Sequence, residues 1–145
     1  MKAYFDTSAL IKLYFKEADS VQADALTVSF PSSPIILTHL QKSELKNGLR
    51  LKLNRKEITE DQYKATLQMI QNNLNSGEFE PLYVDWEAAW NQVDLLFDKY
   101  GLATHCRTLD ILHVAVALTL GCKVFYTFDY RQRALAEKVH LKTSL

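Results

Sequence analysis

Four acidic side chains stand at positions where one predicted element gives way to the next. Asp6 ends the first apolar strand, and Asp129 ends a later strand at 123–127. Glu44 lies on the helix that follows the second strand, and Asp110 lies in the first turn of a very apolar helix. Ligands of open parallel sheets bind at the carboxyl ends of the strands, where helix N-termini also point. The sequence therefore predicts that these four carboxylates meet at one edge of a sheet.

A group of four carboxylates requires a cation, because like charges at close range repel and raise one another's pKa values. Oxygen ligands alone favour Mg²⁺ or Mn²⁺ over Zn²⁺. A divalent ion bound in this way can activate water for hydrolysis of a phosphodiester. Each acid also has a simpler explanation, since Asp6 and Asp129 could cap helices, the helix dipole favours Asp110, and Glu44 could face water. A purely structural role fits Asp110 least well, because its apolar neighbours in sequence make a carboxylate without a cation costly.

The motifs of other common catalytic sites are missing from the sequence. It contains no histidine–cysteine cluster with zinc spacing, no glycine-rich phosphate loop and no glycine-flanked serine. His113 follows Asp110 by three residues, so it either supports that carboxylate or is a satisfied histidine of the core. Ser8 and Thr127 could hydrogen-bond a metal-bound water, and Ser8 could equally cap a helix.

Basic residues are concentrated in one stretch, although the seventeen basic and seventeen acidic residues cancel overall. The stretch contains Lys42, Lys46, Arg50, Lys52, Arg55 and Lys56. Such a run is either a solvated helix face or a surface for the phosphates of a nucleic acid. We take Lys46 and Arg50 from this run, and Arg107 and Arg131 near the acidic edge, as candidate phosphate contacts.

Length and composition fit one globular domain spanning residues 1–145. Apolar residues make up 48% and charged residues 23% of the chain, which is ordinary for a globular protein. No apolar run approaches the roughly 18–20 residues that cross a bilayer, and Asp6 interrupts any secretion signal at the N-terminus. We therefore expect no membrane span and a cytoplasmic location. Cys106 and Cys122 are too few for a disulfide framework and are expected to be reduced and mostly buried.

Hydrophobic spacing predicts strands that alternate with helices. Strands are predicted at 2–5, 35–37, 79–84 and 123–127, and the tail at 140–145 could add an edge strand. Helices are predicted after Asp6 and at 20–28, 38–53, 59–77, 85–100, 108–120 and 131–138. Pro81 suits an edge strand. The alternation indicates an α/β fold, with a parallel sheet between helices on both faces.

Four segments together resemble those of the PIN-domain nucleases, and among these the stand-alone VapC-type toxins of toxin–antitoxin pairs. They are YFDTSAL at 4–10, SEL at 43–45, RTLDILHVA at 107–115 and TFDYRQR at 127–133. Their order and spacing cover nearly the whole chain.

The resemblance implies a single PIN-like domain with about five parallel strands, an acidic cleft for Mg²⁺ or Mn²⁺, and cleavage of single-stranded or structured RNA. It makes Asp6 and Asp110 the strongest ligand candidates and Asp129 a further ligand, direct or through water. Glu44 would complete the site or help to bind a second metal. An antitoxin partner and a homodimer are likewise implied by the resemblance.

Other functions remain open from the residues alone. A weakly catalytic or non-catalytic PIN-like module could act by binding RNA or a protein. A haloacid-dehalogenase-like phosphatase needs an aspartate two residues after the first, where Ser8 stands here. A phosphoryl-accepting receiver needs a pair of acids before the phosphorylated one, and a metal-dependent adhesion site needs a serine where Leu10 stands.

Overall fold

Four short parallel strands form the sheet in the computed structural model, which describes residues 2–15 and 30–144. They are β1 (Ala3–Phe5), β2 (Ile35–Leu37), β3 (Phe79–Pro81) and β4 (Val124–Tyr126), in the order β3-β2-β1-β4. The predicted edge position of the proline-containing strand is confirmed. The sheet thus has four strands in the described residues, where about five were expected. The predicted edge strand in the tail is reduced there to an isolated parallel bridge between Lys142 and Val124.

Six helices connect and cover these strands in the described part of the chain. They are α1 (Thr7–Lys12), α2 (His39–Asn54), α3 (Glu60–Ser76), α4 (Trp86–Tyr100), α5 (Thr108–Thr119) and α6 (Tyr130–Lys138). Thr38 and Thr59 start α2 and α3 with capping boxes, in which the threonine side chain accepts from the backbone of Gln41 or Gln62. The helix predicted at 20–28 lies outside the described residues. No helix within 2–15 and 30–144 has the length and apolar character needed to cross a membrane.

Side chains alternate between the two faces of the sheet and build a separate apolar layer on each. Tyr4, Ile36 and Phe125 pack against α5, which itself packs against α4. Their strand neighbours, including Phe5 and Ile35, pack against the helices on the other face, α1, α2 and α3. Because α5 lies between the sheet and α4, it is buried almost all round, as its sequence predicts. The two apolar layers hold β1 between β2 and β4 inside the sheet, so Asp6, the residue after β1, has a well-defined position.

The C-terminus of α2 ends in a Schellman motif that has lysine where glycine is usual. Lys56 has a φ of 59°, its N–H donates to the carbonyl of Leu53, and the N–H of Glu57 donates to the carbonyl of Lys52. This conformation costs a residue with a Cβ about 1–2 kcal/mol. The motif nevertheless fixes the positions of Arg55 and Glu57 beside the end of α2.

Replacing Lys56 with glycine is expected to raise the free energy of unfolding by up to about 1 kcal/mol. Glycine removes the strain of the left-handed backbone, although its freedom in the unfolded chain offsets part of the gain. Gly77→Ala is the reverse control, because Gly77 ends α3 with a φ of 83°, and this variant should lose about 1 kcal/mol. Urea unfolding measures both, and a Lys56→Gly variant less stable than the wild type would contradict this account.

Candidate active site

Asp6 is a buried acidic residue at the carboxyl end of the central strand β1, and only 7% of its surface is exposed. Its Oδ1 accepts hydrogen bonds from the N–H of Ala9 at 2.9 Å and the hydroxyl of Ser8 at 2.7 Å. Its Oδ2 accepts from the hydroxyl of Thr127 at 2.7 Å. Burial raises the pKa of Asp6, although the hydrogen bonds from Thr127, Ala9 and Ser8 lower it in part. Ser8 and Thr127, predicted to contact a metal-bound water, therefore hold Asp6 itself.

Glu44 is held by a buried histidine that bridges it to the sheet. Nε2 of His113 donates to Glu44 Oε1 at 2.7 Å, since a carboxylate can only accept, and in the neutral ring Nδ1 accepts from the Tyr4 hydroxyl at 2.7 Å. The hydroxyl of Thr7 donates to Glu44 Oε2 at 3.0 Å. Burial alone would raise the pKa of Glu44, but the hydrogen bond and attraction of His113 and the hydrogen bond of Thr7 outweigh it and hold that pKa below its ordinary value. His113 thus supports Glu44, whereas its spacing had pointed to Asp110.

Asp110 and Asp129 each use one carboxylate oxygen to stabilise the start of a helix. Asp110 Oδ2 accepts from the N–H of Arg107 at 3.1 Å in the first turn of α5. Asp129 Oδ1 accepts from the N–H groups of Arg131 at 2.8 Å and Gln132 at 3.3 Å at the start of α6. No hydrogen bond among the described residues reaches the second oxygen of either carboxylate. Each acid therefore has a fixed side chain and an oxygen available to a ligand.

Two adjoining clefts at this edge of the sheet share Asp6 and Asp110. The first, which we call the basic cleft, has a volume of about 770 Å³, and its polar lining includes Asp6, Ser8, Lys12, Lys52, Arg55, Glu57, Asp110, Asp129, Tyr130 and Arg131. The second, the histidine cleft, has a volume of about 440 Å³ and is lined by Asp6, Thr7, Glu44, Arg107, Asp110, His113 and Gln132 among others. All four predicted acids thus lie at one edge, with Asp6 and Asp110 between Asp129 and Glu44.

The four acids do not form a ready-made chelating group. In residues 2–15 and 30–144, no three His, Cys, Asp or Glu side chains are grouped closely enough to hold a metal ion by themselves. Each carboxylate is restrained by its own hydrogen bonds, and four anions in direct contact would repel one another. In the described residues, the four predicted carboxylates are therefore distributed over two adjoining clefts at one edge of the sheet.

The donor set at this edge nevertheless fits Mg²⁺ or Mn²⁺. Mg²⁺ usually keeps several of its waters and binds through one or two carboxylates, and the second oxygens of Asp110 and Asp129 provide these. Gln132 adds an acceptor for such a water: it is 1% exposed, its Nε2 donates to the carbonyl of Asp110 at 3.1 Å, and its Oε1 is buried without a partner among the described residues. A buried orphan acceptor is costly unless a ligand or water satisfies it.

Of the four predicted phosphate contacts, two line a cleft and two do not. Arg131 lines the basic cleft and Arg107 the histidine cleft, whereas Lys46 and Arg50 are exposed on α2 and line neither. Three further cations line the basic cleft: Lys52 and Arg55 belong to the basic run predicted as a possible phosphate surface, although neither was singled out, and Lys12 lies outside that run. Helical spacing from Glu44 could have found two of them, because positions 48, 52 and 55 share its stripe of α2 and positions 46 and 50 do not.

Comparison with known proteins gives one family match and several structures of the same fold. A family model described as PIN domain matches residues 3–138, and no curated protein matches the sequence. VapBC2 from Rickettsia felis, solved with a DNA fragment from its promoter, has a TM-score of 0.65 and 13% identity, and the match covers 99% of this chain and 98% of that one.

Two further solved structures are similar to this chain. VapBC-1 from nontypeable Haemophilus influenzae has a TM-score of 0.62 and 16% identity, with 99% of this chain and 97% of that chain covered. VapC20 from Mycobacterium tuberculosis, described as a toxin that cleaves the sarcin–ricin loop, has a TM-score of 0.59 and 18% identity, with 91% and 93% covered. At these identities the similarity shows a shared fold.

The Asp6→Asn variant is expected to gain stability relative to the wild type as pH rises. The folded-state pKa of Asp6 is raised, so its favourable contribution is complete below the unfolded pKa and is lost as pH rises through the folded pKa. Asparagine is neutral throughout, so its advantage should be larger at about pH 7 than at about pH 4. Urea unfolding with chelator present measures the difference, and an advantage that shrinks as pH rises would contradict it.

Tyr4→Phe is expected to lower the free energy of unfolding by about 1–3 kcal/mol, because it leaves a buried nitrogen of His113 without its partner. Tyr126→Phe on the neighbouring strand is the matched control, since the Tyr126 hydroxyl makes no hydrogen bond within the described residues. Chemical unfolding of both variants under the same conditions measures the two losses in the free energy of unfolding. Equal losses would mean that the contact between Tyr4 and His113 contributes nothing specific.

Proposed function

This chain belongs to the PIN-domain family, and from that premise we propose that it is a metal-dependent endoribonuclease that hydrolyses phosphodiester bonds in RNA. One observation carries the proposal: Asp6 and Asp110 line both clefts at the carboxyl edge of the sheet, with Asp129 in one cleft and Glu44 in the other. Three of these carboxylates also stabilise helix starts, which lie at this edge, but Glu44 caps no helix, and Asp110 and Asp129 each keep one oxygen without a hydrogen bond among the described residues. A common ligand for them explains that arrangement.

Asp110 and Asp129 are the residues we expect to hold Mg²⁺ or Mn²⁺ directly, each through the oxygen that its helix leaves unused. Asp6 and Glu44 complete the set, directly or through water. When bound, such an ion polarises phosphoryl oxygens and lowers the pKa of water. Glu44 is held in its ionised form, because its pKa is lowered, and His113 and Thr7 fix its orientation, so we expect it to orient a water at the site by accepting a hydrogen bond rather than to take up its proton.

The biological role we propose is that of a VapC-like toxin controlled by an antitoxin. Support comes from the neighbours in fold, of which one is described as a toxin that cleaves the sarcin–ricin loop and two as VapBC structures. An antitoxin could occupy the clefts and place a basic side chain among the carboxylates, where it would offset their repulsion. A homodimer and a cytoplasmic location complete the proposal.

A binding module with little or no catalysis is the second candidate. The specific observation that favours it is the wide distribution of the acids, since the described residues contain no ready-made group of three ligands. Such a module would bind RNA or a protein partner without turnover. Metal uptake and RNA turnover separate the two functions.

Asp110→Asn is expected to lower RNA cleavage by more than about 100-fold, which is the upper limit for losing a group that only supports a metal ligand. The same variant should lose Mn²⁺ uptake in titration calorimetry, and chelator should stop cleavage by the wild type. Asp94→Asn is the matched control, because Asp94 is exposed on α4 and lines neither cleft. Full cleavage by Asp110→Asn, or cleavage in excess chelator, would refute the metal-dependent site.

A further inference from the structure

We propose that Gln132 recognises the ribose of an RNA substrate, because its side-chain oxygen Oε1 accepts a hydrogen bond from a 2′-hydroxyl group. This inference rests on the proposed function and names the group by which the site distinguishes ribose from a sugar that lacks that hydroxyl. Two observations carry it. The buried Oε1 atom has no partner among the described residues, and the histidine cleft, which Gln132 lines, has already used several of its own donors.

The side chain of Gln132 is fixed between the helices that carry Asp110 and Asp129. Its Nε2 donates to the carbonyl of Asp110 at 3.1 Å, and its backbone N–H donates to Asp129 Oδ1 at 3.3 Å. Because the amide nitrogen and oxygen share one carbon, the bond made by Nε2 also fixes the position of Oε1. The residue is 1% exposed and lines the histidine cleft together with Asp6 and Asp110. Gln132 therefore provides a fixed acceptor at the wall of this cleft.

An unpaired oxygen at this position costs the free protein the energy of removing it from water. A ligand whose hydroxyl reaches Oε1 recovers that cost, whereas a ligand without a donor leaves the oxygen unpaired. Sites with buried polar groups reject an analogue that lacks the matching hydroxyl for this reason. An amide oxygen has two acceptor positions, so Oε1 can accept from a water of a bound ion and from a hydroxyl at the same time.

Three side-chain donors of the histidine cleft are used within the protein, which leaves its wall rich in acceptors. The Thr7 hydroxyl and Nε2 of His113 both donate to Glu44, and Nε2 of Gln132 donates to Asp110. Ionised phosphate oxygens only accept hydrogen bonds, whereas a ribose hydroxyl also donates them. The sugar of a nucleotide therefore matches this wall better than its phosphate does.

The 2′-hydroxyl is also the donor of an RNA chain that lies closest to the phosphodiester, since its carbon is bonded to the one that bears the 3′-oxygen. Asp6 and Asp110, which we expect to act at the reacting phosphate, line the same cleft as Gln132. A phosphate at these carboxylates therefore brings the adjoining ribose to Gln132. The amino groups of bases donate as well, but they differ between nucleotides, whereas the hydroxyl is present in every one.

The test compares a labelled RNA of about 12 nucleotides with the 2′-fluoro strand of the same sequence. Fluorine preserves the pucker of ribose but cannot donate a hydrogen bond. Fluorescence anisotropy measures both dissociation constants, in chelator and at low salt, where binding to phosphates is strongest. The wild type should bind RNA at least about twofold more tightly, which is the lower limit for one net hydrogen bond. Equal affinity for the two strands, or no binding of RNA, would overturn the proposal.

The variant Q132M removes the acceptor with an unbranched side chain that also suits a helix. It should lower the preference for RNA by about two- to tenfold, with the affinity for the 2′-fluoro strand unchanged, which shows that the variant is folded. Gln68 is the matched control, because it is exposed on α3 and lines neither cleft, and Q68M should keep the wild-type preference.

Two results with Q132M would refute the ribose contact. One is a preference for RNA equal to that of the wild type. The other is an equal loss of affinity for both strands, which would mean that Gln132 only holds the two helices together.

Cleavage assays with the wild type keep this proposal distinct from the nuclease. If the preference for RNA depends on Gln132 and the wild type does not cleave RNA, the ribose contact stands and the enzymatic proposal fails. If the wild type cleaves RNA and Q132M keeps the full preference, the enzymatic proposal stands and the ribose contact is refuted.

Discussion

Burial of the Asp6 carboxylate is the physical constraint on which the rest of the acidic edge depends. An ionised carboxylate out of contact with water is costly unless donors surround it. Asp6 obtains them from the first turn of α1, through Ala9 and Ser8, and from Thr127 beyond the end of β4. The helix must therefore begin directly after β1, and β4 must lie beside it. The N–H of Asp129 donates to the same Thr127 hydroxyl at 3.0 Å, so one hydroxyl sets the positions of two of the four acids.

The equal numbers of acidic and basic residues conceal a strong local separation of charge. Carboxylates at the centre of the edge repel a phosphate backbone, and cations at one side reduce that repulsion where a strand would continue. Helix α2 carries both signs on one stripe, from Glu44 to Arg55. The Schellman motif at its end places Glu57 beside Lys52, which moderates the positive surface. Net charge is therefore a poor guide to the ligand of this molecule.

Much of the fold was predictable because the first and last residues of its helices are set by local capping interactions. Thr38, Thr59 and Asp85 cap the helices that were predicted to start there, and Gly77 ends α3 in the left-handed conformation. The position of the acids at one edge followed from the rule that the ligands of open parallel sheets bind at the carboxyl ends of the strands. The partner of His113 was not predictable, because it depends on the packing of α5 against β1. Spacing along the helix suggested Asp110, three residues away, whereas the bonded carboxylate belongs to Glu44, 69 residues away in sequence.

Helix capping does not exclude ligand binding by these acids, because a cap occupies only one oxygen of the carboxylate. A cap uses one oxygen: Asp110 Oδ2 accepts from Arg107, and Asp129 Oδ1 accepts from the first turn of α6. The bond fixes the side-chain rotamer, so the second oxygen is held at the cleft before any ligand arrives. Asp6 differs, because both of its oxygens already accept hydrogen bonds. Its Oδ1 already has two donors, whereas Oδ2 accepts only from the Thr127 hydroxyl, so a ligand that contacts Asp6 directly has its free acceptor site on Oδ2.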